Sequence, residues 1–315
     1  MTASIVITTK NRKDELRRAL ISARNQTGVS EILVVDDGST DGTYEMVAHE
    51  FPSVWILRSE QSHGLIVQRT RAAKLVTSPI IFSIDDDATF SSGTIVETTL
   101  KEFEHPLVGA VAIPFVDVNR SPTVRQLAPH PSRVYAAGSY IGTAHAIRRD
   151  LFLTLSGYRE ILVHQGEEED YCIRLLDAGY ITRLGNADPI HHFESPRRSW
   201  IRMDYYGARN KILYAWQNVP FPYLSGHLAI TTVKTLFHSL EPSRFWTRLR
   251  GVAAGYRLCF SGRTGRNPVS RLTYRISRDL KRRTAVLIEE IEARLGEHWP
   301  DTKAHVLRSK NLADA

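Results

Sequence analysis

Three consecutive carboxylates, Asp85-Asp86-Asp87, end a run of β-branched and aromatic residues, Ile80-Ile81-Phe82-Ser83-Ile84, that reads as a buried strand. Like charges at the end of a core strand repel one another unless water or a cation neutralises them. Side chains alternate along a strand, so Asp85 and Asp87 face one way. A pair of oxygen-only ligands suits Mg2+ or Mn2+, ions that also hold the oxygens of a diphosphate. A metal so placed screens the charge and makes a diphosphate a better leaving group.

Two further acidic clusters fall at predicted element ends. "VVDDGSTDGT" (34–43) puts Asp36 and Asp37 after a strand and before the small polar residues of a turn and helix cap. An aspartate there accepts hydrogen bonds from a base imide N–H or from ribose hydroxyls, and the same residues also make an ordinary acidic turn. "GEEEDYCIRLLDAGY" (166–180) opens a helix with Glu167-Glu168-Glu169-Asp170 and closes it at Gly179. Such acids fit general-base chemistry. They fit plain helix chemistry too, because the macrodipole favours each by about 0.3–1 kcal/mol.

The elements that must position these groups alternate. Strand-like segments at 4–8, 31–35, 54–57 and 80–84 are interleaved with helix-like segments at 12–26, 43–50 and about 65–76. This order predicts an α/β fold with a mostly parallel Rossmann-like sheet flanked by helices, where ligands bind at the carboxyl ends of the strands. Thr8-Thr9-Lys10-Asn11, Asp36-Asp37-Gly38-Ser39 and Asp85-Asp86-Asp87 all fall at such ends and are expected to converge. A helix over 94–103, a strand over 108–118, a long loop over 119–138 and a strand over 140–148 follow, and a long helix starts near Pro196. Beyond Pro220 the pattern is helical, Pro-broken and basic.

The composition, 42% hydrophobic and 24% charged over 315 residues, is that of a globular chain and excludes general disorder. Two cysteines, Cys172 and Cys259, make no disulfide framework, and no zinc-ligand spacing exists. The chain opens directly into a strand-like run, without the basic region and long apolar stretch of a secretory signal, and holds no segment of membrane-spanning length. A cytoplasmic location is therefore expected. The net charge of +7 concentrates between Arg244 and Arg283, where Asp279 is the lone acid. With the apolar stretch 221–240, this region is expected either to touch an anionic membrane surface peripherally or to pack on the protein or a second subunit.

Taken in order, "SIVITTKNR", "ILVVDDGSTDGT", "HGLIVQRTRA", "IIFSIDDDATF", "GEEEDYCIRLLDAGY" and "YYGARNKILYAW" resemble the family 2 glycosyltransferases, inverting enzymes of the GT-A fold, over about residues 3–218. The resemblance implies a catalytic domain over 1–218, with a nucleotide-sugar half to about 118 and an acceptor half from 119, and a basic helical region over 219–315. It implies Thr8 and Asn11 in the first nucleotide-contacting loop, Asp36 on the base and Arg69 on the nucleotide. Asp85 and Asp87 then stand on ribose and a divalent metal, Mn2+ or Mg2+. The usual Asn is His63 here, and Gln68-Arg69-Thr70 replaces Ala-Arg-Asn. Aligning Arg174 with the family's arginine makes Glu168 the general base, with Glu167 and Asp170 as supporting or alternative acids. In "DPIHHFESP" a histidine reaches the metal or diphosphate, His191 before His192. Arg197 and Arg198 are further candidates to neutralise phosphate, and Trp200, Tyr205 and Tyr206 either line an acceptor groove or pack in the core.

The function so implied is transfer of a sugar from a nucleotide diphosphate sugar to a hydroxyl of a saccharide or lipid-linked saccharide, of the bacterial cell-surface polysaccharide type, with no nucleic-acid partner. The alternatives are a sugar-nucleotide nucleotidyltransferase and a non-catalytic sugar-nucleotide or polyanion binder. The absence of glycine in "TTKNRKDE" opposes the first, and the acids at 167–170 oppose the second.

Overall fold

In the computed structural model, which describes residues 1–194, 199–238 and 241–295, the first strand, β1 (Ala3–Thr9), is buried along its whole length. Ile5 and Ile7 join one core cluster and Val6 the other, the alternation of a strand covered on both faces. The chain continues through α1 (Lys13–Ala23), β2 (Val29–Asp36), α2 (Thr43–Glu50), β3 (Trp55–Arg58), α3 (Leu65–Leu75), β4 (Ile80–Asp85), β5 (Ala88–Thr89) and α4 (Ile95–Glu102). Then come β6 (Val108–Ala112), β7 (Phe115–Asp117), β8 (Val124–Arg125), β9 (Tyr135–Ala137), β10 (Ala144–Arg148), α5 (Arg149–Thr154), α6 (Glu167–Asp177), β11 (Ile181–Leu184) and β12 (Ile190–His192). The last part comprises α7 (Trp200–Asn218), α8 (Tyr223–Leu236), α9 (Pro242–Phe260), α10 (Arg271–Arg283), β13 (Val286–Leu287) and α11 (Ile288–Leu295).

Nine strands form the main sheet in the order β13-β9-β11-β6-β10-β4-β1-β2-β3. All run one way except β10 and β9. This is the mainly parallel, helix-flanked sheet expected from the sequence. A smaller sheet, β5-β12-β7-β8, stands beside it.

The segment 108–118, expected as one strand, is two. Pro114 has no N–H to continue the ladder, and the chain leaves the main sheet there to enter the small one as β7. The return crossing, between β11 and β12, passes Gly185, where a Cβ would sit 2.8 Å from Pro114 Cδ and 2.9 Å from the Ala112 carbonyl. The long loop 119–138 carries β8 and β9. Tyr140 precedes its strand and turns inward, its ring 4.2 Å from that of His145. Arg197 and Arg198 lie outside the described residues.

The C-terminal helices pack on the rest of the protein. α10 lies against α6, where Asp177 Oδ1 accepts from Ser270 N (2.9 Å) and Thr273 Oγ1 (2.8 Å). Farther along α10, Lys281 pairs with Glu169 and reaches Tyr214 Oη at 3.1 Å. β13 then joins the sheet beside β9. α9 runs along α7 at close range because two glycines face it: a Cβ at Gly251 would meet the Tyr205 carbonyl oxygen at 2.3 Å, and one at Gly255 the Arg209 carbonyl oxygen at 2.8 Å. Among the described residues no helix is long and apolar enough to cross a membrane.

Gly251→Ala is expected to push α9 off α7 at a cost of about 1–3 kcal/mol, read as a lower urea midpoint. Gly226→Ala on α8, where nothing lies within 4 Å of the added Cβ, should gain about 0.5–1 kcal/mol instead. Equal effects from the two variants would refute this packing.

Candidate active site

The register of the sheet brings the acidic strand ends together. Thr8 stands opposite Asp85 of β4 on one side and Val35 of β2 on the other, and Thr9 stands opposite Asp36. Above them opens a cavity of about 780 Å³, whose walls include Thr8, Arg12, Arg69, the three aspartates, Glu167 and Glu168. That is the size of a small-molecule site.

One carboxylate oxygen each of Asp85 and Asp87 and one ring nitrogen of His192 lie within 4.8 Å of one another. His192 Nδ1 is hydrogen-bonded to Asp117 Oδ1. Its Nε2 faces Asp87 Oδ1 at 3.3 Å and makes no well-aligned hydrogen bond, although the ring is buried. With the proton held on Nδ1 by a carboxylate, the Nε2 lone pair points at the two aspartates, as in a histidine oriented to bind a metal. Burial opposes the imidazolium, but Asp87 and Asp117 outweigh it and push His192 up to about 9. The donor set fits Mn2+ or Mg2+.

His191, preferred from the sequence as the metal ligand, is not in this cluster. β12 pairs His192 with Asp117 of β7 and with Ala88 of β5, and strand alternation turns the half-buried His191 to the opposite side.

Two arginines hold the remaining acidic charge. Arg12 Nη1 donates to Asp86 Oδ1 (2.9 Å) and Asp87 Oδ2 (2.7 Å), and Thr9 Oγ1 donates to Asp86 Oδ2 (2.8 Å). Burial raises Asp86 to about 7; Asp87 stays below the usual range because His192 and Arg12 offset its desolvation. Arg69 Nη2 donates to Asp85 Oδ1 and to the Gly142 carbonyl, both at 2.8 Å. Its Nε and Nη1 are buried without partners, donors to spare for an anion in the cavity.

The residues of the first two loops divide between lining the cavity and tying the loops to each other. Thr8 lines the cavity with a buried, unpartnered Oγ1. Asn11, with φ 53°, ties the loops together instead: its Oδ1 accepts from Thr40 N at 2.7 Å, and its N–H donates to Ser39 Oγ at 2.9 Å. Asp36 is fully buried, with Oδ1 accepting from Ser39 N at 2.8 Å and Oδ2 3.8 Å from Arg58 Nε without a hydrogen bond. Asp37 rather than Asp36 reaches the cavity wall. It accepts from Ser62 Oγ, His63 N, Gly64 N and Gln68 Nε2, which fixes the entry to α3 and hence Arg69.

The acids of α6 divide by direction. Glu167 and Glu168 face the cavity, whereas Asp170 is buried away from it, accepting from Arg159 Nη1 (2.6 Å), Arg174 Nε (3.1 Å) and Asn218 Nδ2 (2.8 Å). Asp170 therefore anchors α6 and is not among the residues that line the cavity. Burial first, and then the charge of Glu167, raise Glu168 to about 8. Gly142 is packed between the two halves of the site: a Cβ there would lie 2.4 Å from Glu168 Oε1 and 3.1 Å from Arg69 Nη1.

The turn leading into α6 is strained, with Val163 (φ 60°), Gln165 (φ 69°) and Gly166 (φ 86°) in the left-handed region. Asn210 and Arg209 of α7 hold it. Asn210 Nδ2 donates to the carbonyls of Leu162 and His164 at 2.8 Å and of Gln165 at 2.6 Å, and Arg209 Nη2 donates to Leu162 O at 2.8 Å. Of the aromatic residues on α7, Trp200 is exposed, while Tyr205 and Tyr206 pack edge to face at 5.1 Å.

Residues 4–158 match the protein-family model for "Glycosyl transferase family 2". The pre-mycofactocin glycosyltransferase of Mycobacterium tuberculosis is 28% identical over 225 residues, 65% of this chain and 46% of that protein. The succinoglycan biosynthesis protein ExoU of Rhizobium meliloti is 26% identical over 197 residues, 56% of this chain and 57% of that protein. The chain spans about half the length of these curated relatives. Among solved structures, the mannosyltransferase PcManGT of Pyrobaculum calidifontis, in complex with GDP-Man and Mn2+, superposes with a TM-score of 0.53 at 18% identity, covering 99% of this chain and 87% of that one.

Asp117→Asn should weaken Mn2+ binding by about 10–100-fold in calorimetric titration, since the amide no longer fixes the His192 tautomer. Unchanged affinity would remove His192 from the ligand set. Asn210→Ala is expected to speed amide hydrogen exchange across 162–168 and leave the β4 strand protected; equal exchange in both proteins would show that the clamp is dispensable.

Proposed function

We propose that this chain, whose residues 4–158 match the family 2 glycosyltransferase model, is an inverting enzyme that moves one sugar from a nucleotide diphosphate sugar to an acceptor hydroxyl. The observation that carries the reading is the placing of Glu168 in the same cavity as the Asp85, Asp87 and His192 cluster. One side of the cavity can hold a departing diphosphate and the other can accept a proton.

Mn2+ or Mg2+, held by Asp85, Asp87 and His192, would screen the charge of the diphosphate as it leaves. Thr8, Arg12 and Arg69 surround that end, and the unpartnered Nε and Nη1 of Arg69 are suited to the nucleotide phosphates. Glu168 takes the proton of the acceptor hydroxyl while its oxygen attacks the anomeric carbon from the face opposite the nucleotide. This displacement inverts the configuration and needs no covalent sugar–enzyme intermediate. A base raised to about 8 is poised for that transfer near neutral pH. Glu167, also raised by burial, supports the neighbouring charge balance.

The acceptor is a saccharide or lipid-linked saccharide in the building of a bacterial cell-surface polysaccharide, at the inner face of the plasma membrane. The catalytic unit is assigned to residues 1–218, in keeping with cavity walls that run from Thr8 to Met203; α10, in the basic region beyond it, packs on α6. The Mn2+ in the related-fold mannosyltransferase complex accords with a divalent ion here.

Glu168→Gln should lower kcat by about 10²–10⁴-fold and leave nucleotide affinity unchanged. Wild-type kcat/KM should climb as pH rises through about 8 and that climb should vanish in the variant. Because the folded protein favours the protonated acid, Glu168 costs stability as pH rises from the ordinary glutamate range through about 8. The glutamine variant should therefore melt higher than wild type at alkaline pH. A wild-type turnover rate in the variant would exclude Glu168 as the base. Thermal shifts with nucleoside diphosphates, with and without Mn2+, test the donor site; no stabilisation by any of them would overturn it.

A further inference from the structure

The N-terminal ends of α7 and α9 lie together, because Asp204 of α7 accepts from Arg244 Nε (2.7 Å) and Nη2 (3.0 Å) and from Arg248 Nη2 (3.1 Å) of α9. The C-terminal end of α8 meets them there: the Phe237 ring is 6.2 Å from Phe245, and Phe245 is 5.7 Å from Trp246. Arg244 lies over the Trp200 ring at 5.2 Å. At this end and along the outer stripe of α8, Trp200, Ile201, Ile230, Val233, Phe237 and Trp246 are 53–74% exposed. Large apolar side chains gathered in that way mark an interaction surface.

Charge selects the occupant. Neither α8 nor α9 contains an Asp or Glu, whereas Lys234, Arg250 and Arg257 are exposed on them. Asp204 is already taken by two arginines, and Glu241 lies in the turn before α9. A second copy of the chain would bring like charges face to face. An anionic lipid surface offers the opposite charge and a headgroup boundary in which Trp and Phe are favoured. The surface is also continuous with the cavity: Ser199, Arg202 and Met203, next to exposed Ile201, line its rim. Arg202 is exposed, its guanidinium 5.9 Å from the Tyr206 ring.

We propose that the joined ends of α7, α8 and α9 rest on an anionic bilayer, and that the acceptor is a saccharide carried on a lipid phosphate whose anionic group meets Arg202 at the cavity rim. The acceptor half of this proposal rests on the glycosyl-transfer reading; the docking half does not. Seated so, the cavity opens toward the membrane and receives an acceptor that never leaves it.

The test is flotation of the full chain with vesicles of phosphatidylglycerol in phosphatidylcholine and with vesicles of phosphatidylcholine alone. Wild type should float with the anionic vesicles, and the double variant Phe237→Glu with Trp246→Glu should bind them about tenfold more weakly. Its thermal shift with nucleoside diphosphate and Mn2+ should match wild type, which separates lost docking from lost folding or a lost donor site. Arg202→Gln should bind farnesyl phosphate about fivefold more weakly and still float. Wild type that stays with the soluble fraction, or a double variant that floats equally well, overturns the docking surface. Loss of a dimer in the double variant with unchanged flotation assigns the patch to a second copy instead. Equal farnesyl phosphate binding by Arg202→Gln overturns the acceptor assignment.

Discussion

Everything in the cavity answers to the repulsion among Asp85, Asp86 and Asp87. Two of the three are nearly buried, and three carboxylates at a strand end could not stay ionised there without positive charge brought from elsewhere in the chain. Arg12 comes from the loop after β1, Arg69 from α3 and His192 from the small sheet. Two of these groups are themselves fixed by a further contact: Arg69 by Gly142, and His192 by Asp117. The arrangement leaves Asp85 the most accessible of the three side chains, 28% exposed, on the cavity side. A divalent ion there would share with Arg12 and Arg69 the task of balancing these carboxylates.

Much of the fold could be read from residue order, because the alternation of strand-like and helix-like segments over 1–118 is a local signal. The convergence of the first, second and fourth strand ends followed from it. What escaped the reading depends on pairing between distant segments. The choice between His191 and His192 turns on which residue of β12 lies opposite Asp117, a register that no stretch of sequence around the histidines contains. The inward pairing of Asp170 likewise depends on Arg159 and Asn218, which flank it only in the folded chain. Arg12 did leave a trace, as the last residue of "TTKNR" beside an acidic strand end. Asn210 and Arg209 stood inside a motif already singled out, yet their duty toward the turn at 162–165 requires knowing where α7 lies.

The basic region has two physical characters. α10 uses its charge inward, with Lys281 on Glu169 and Tyr214, and its apolar side feeds the main core through Ile276 and Leu280. α8 and α9 keep Lys234, Arg250, Arg257 and several large apolar side chains outward. A charge total over the whole segment hides this division, since burial and pairing decide which cations still act on the surroundings.

Gly142 sets the width of the cavity floor. With Arg69 on one flank and Glu168 on the other, the peptide backbone fills the gap so closely that only a hydrogen fits. Enlarging or reshaping the chamber by altering its base would disturb both flanks at once. Engineering toward a different sugar or acceptor has more room at lining residues away from this contact, such as Val163, His164 and Met203.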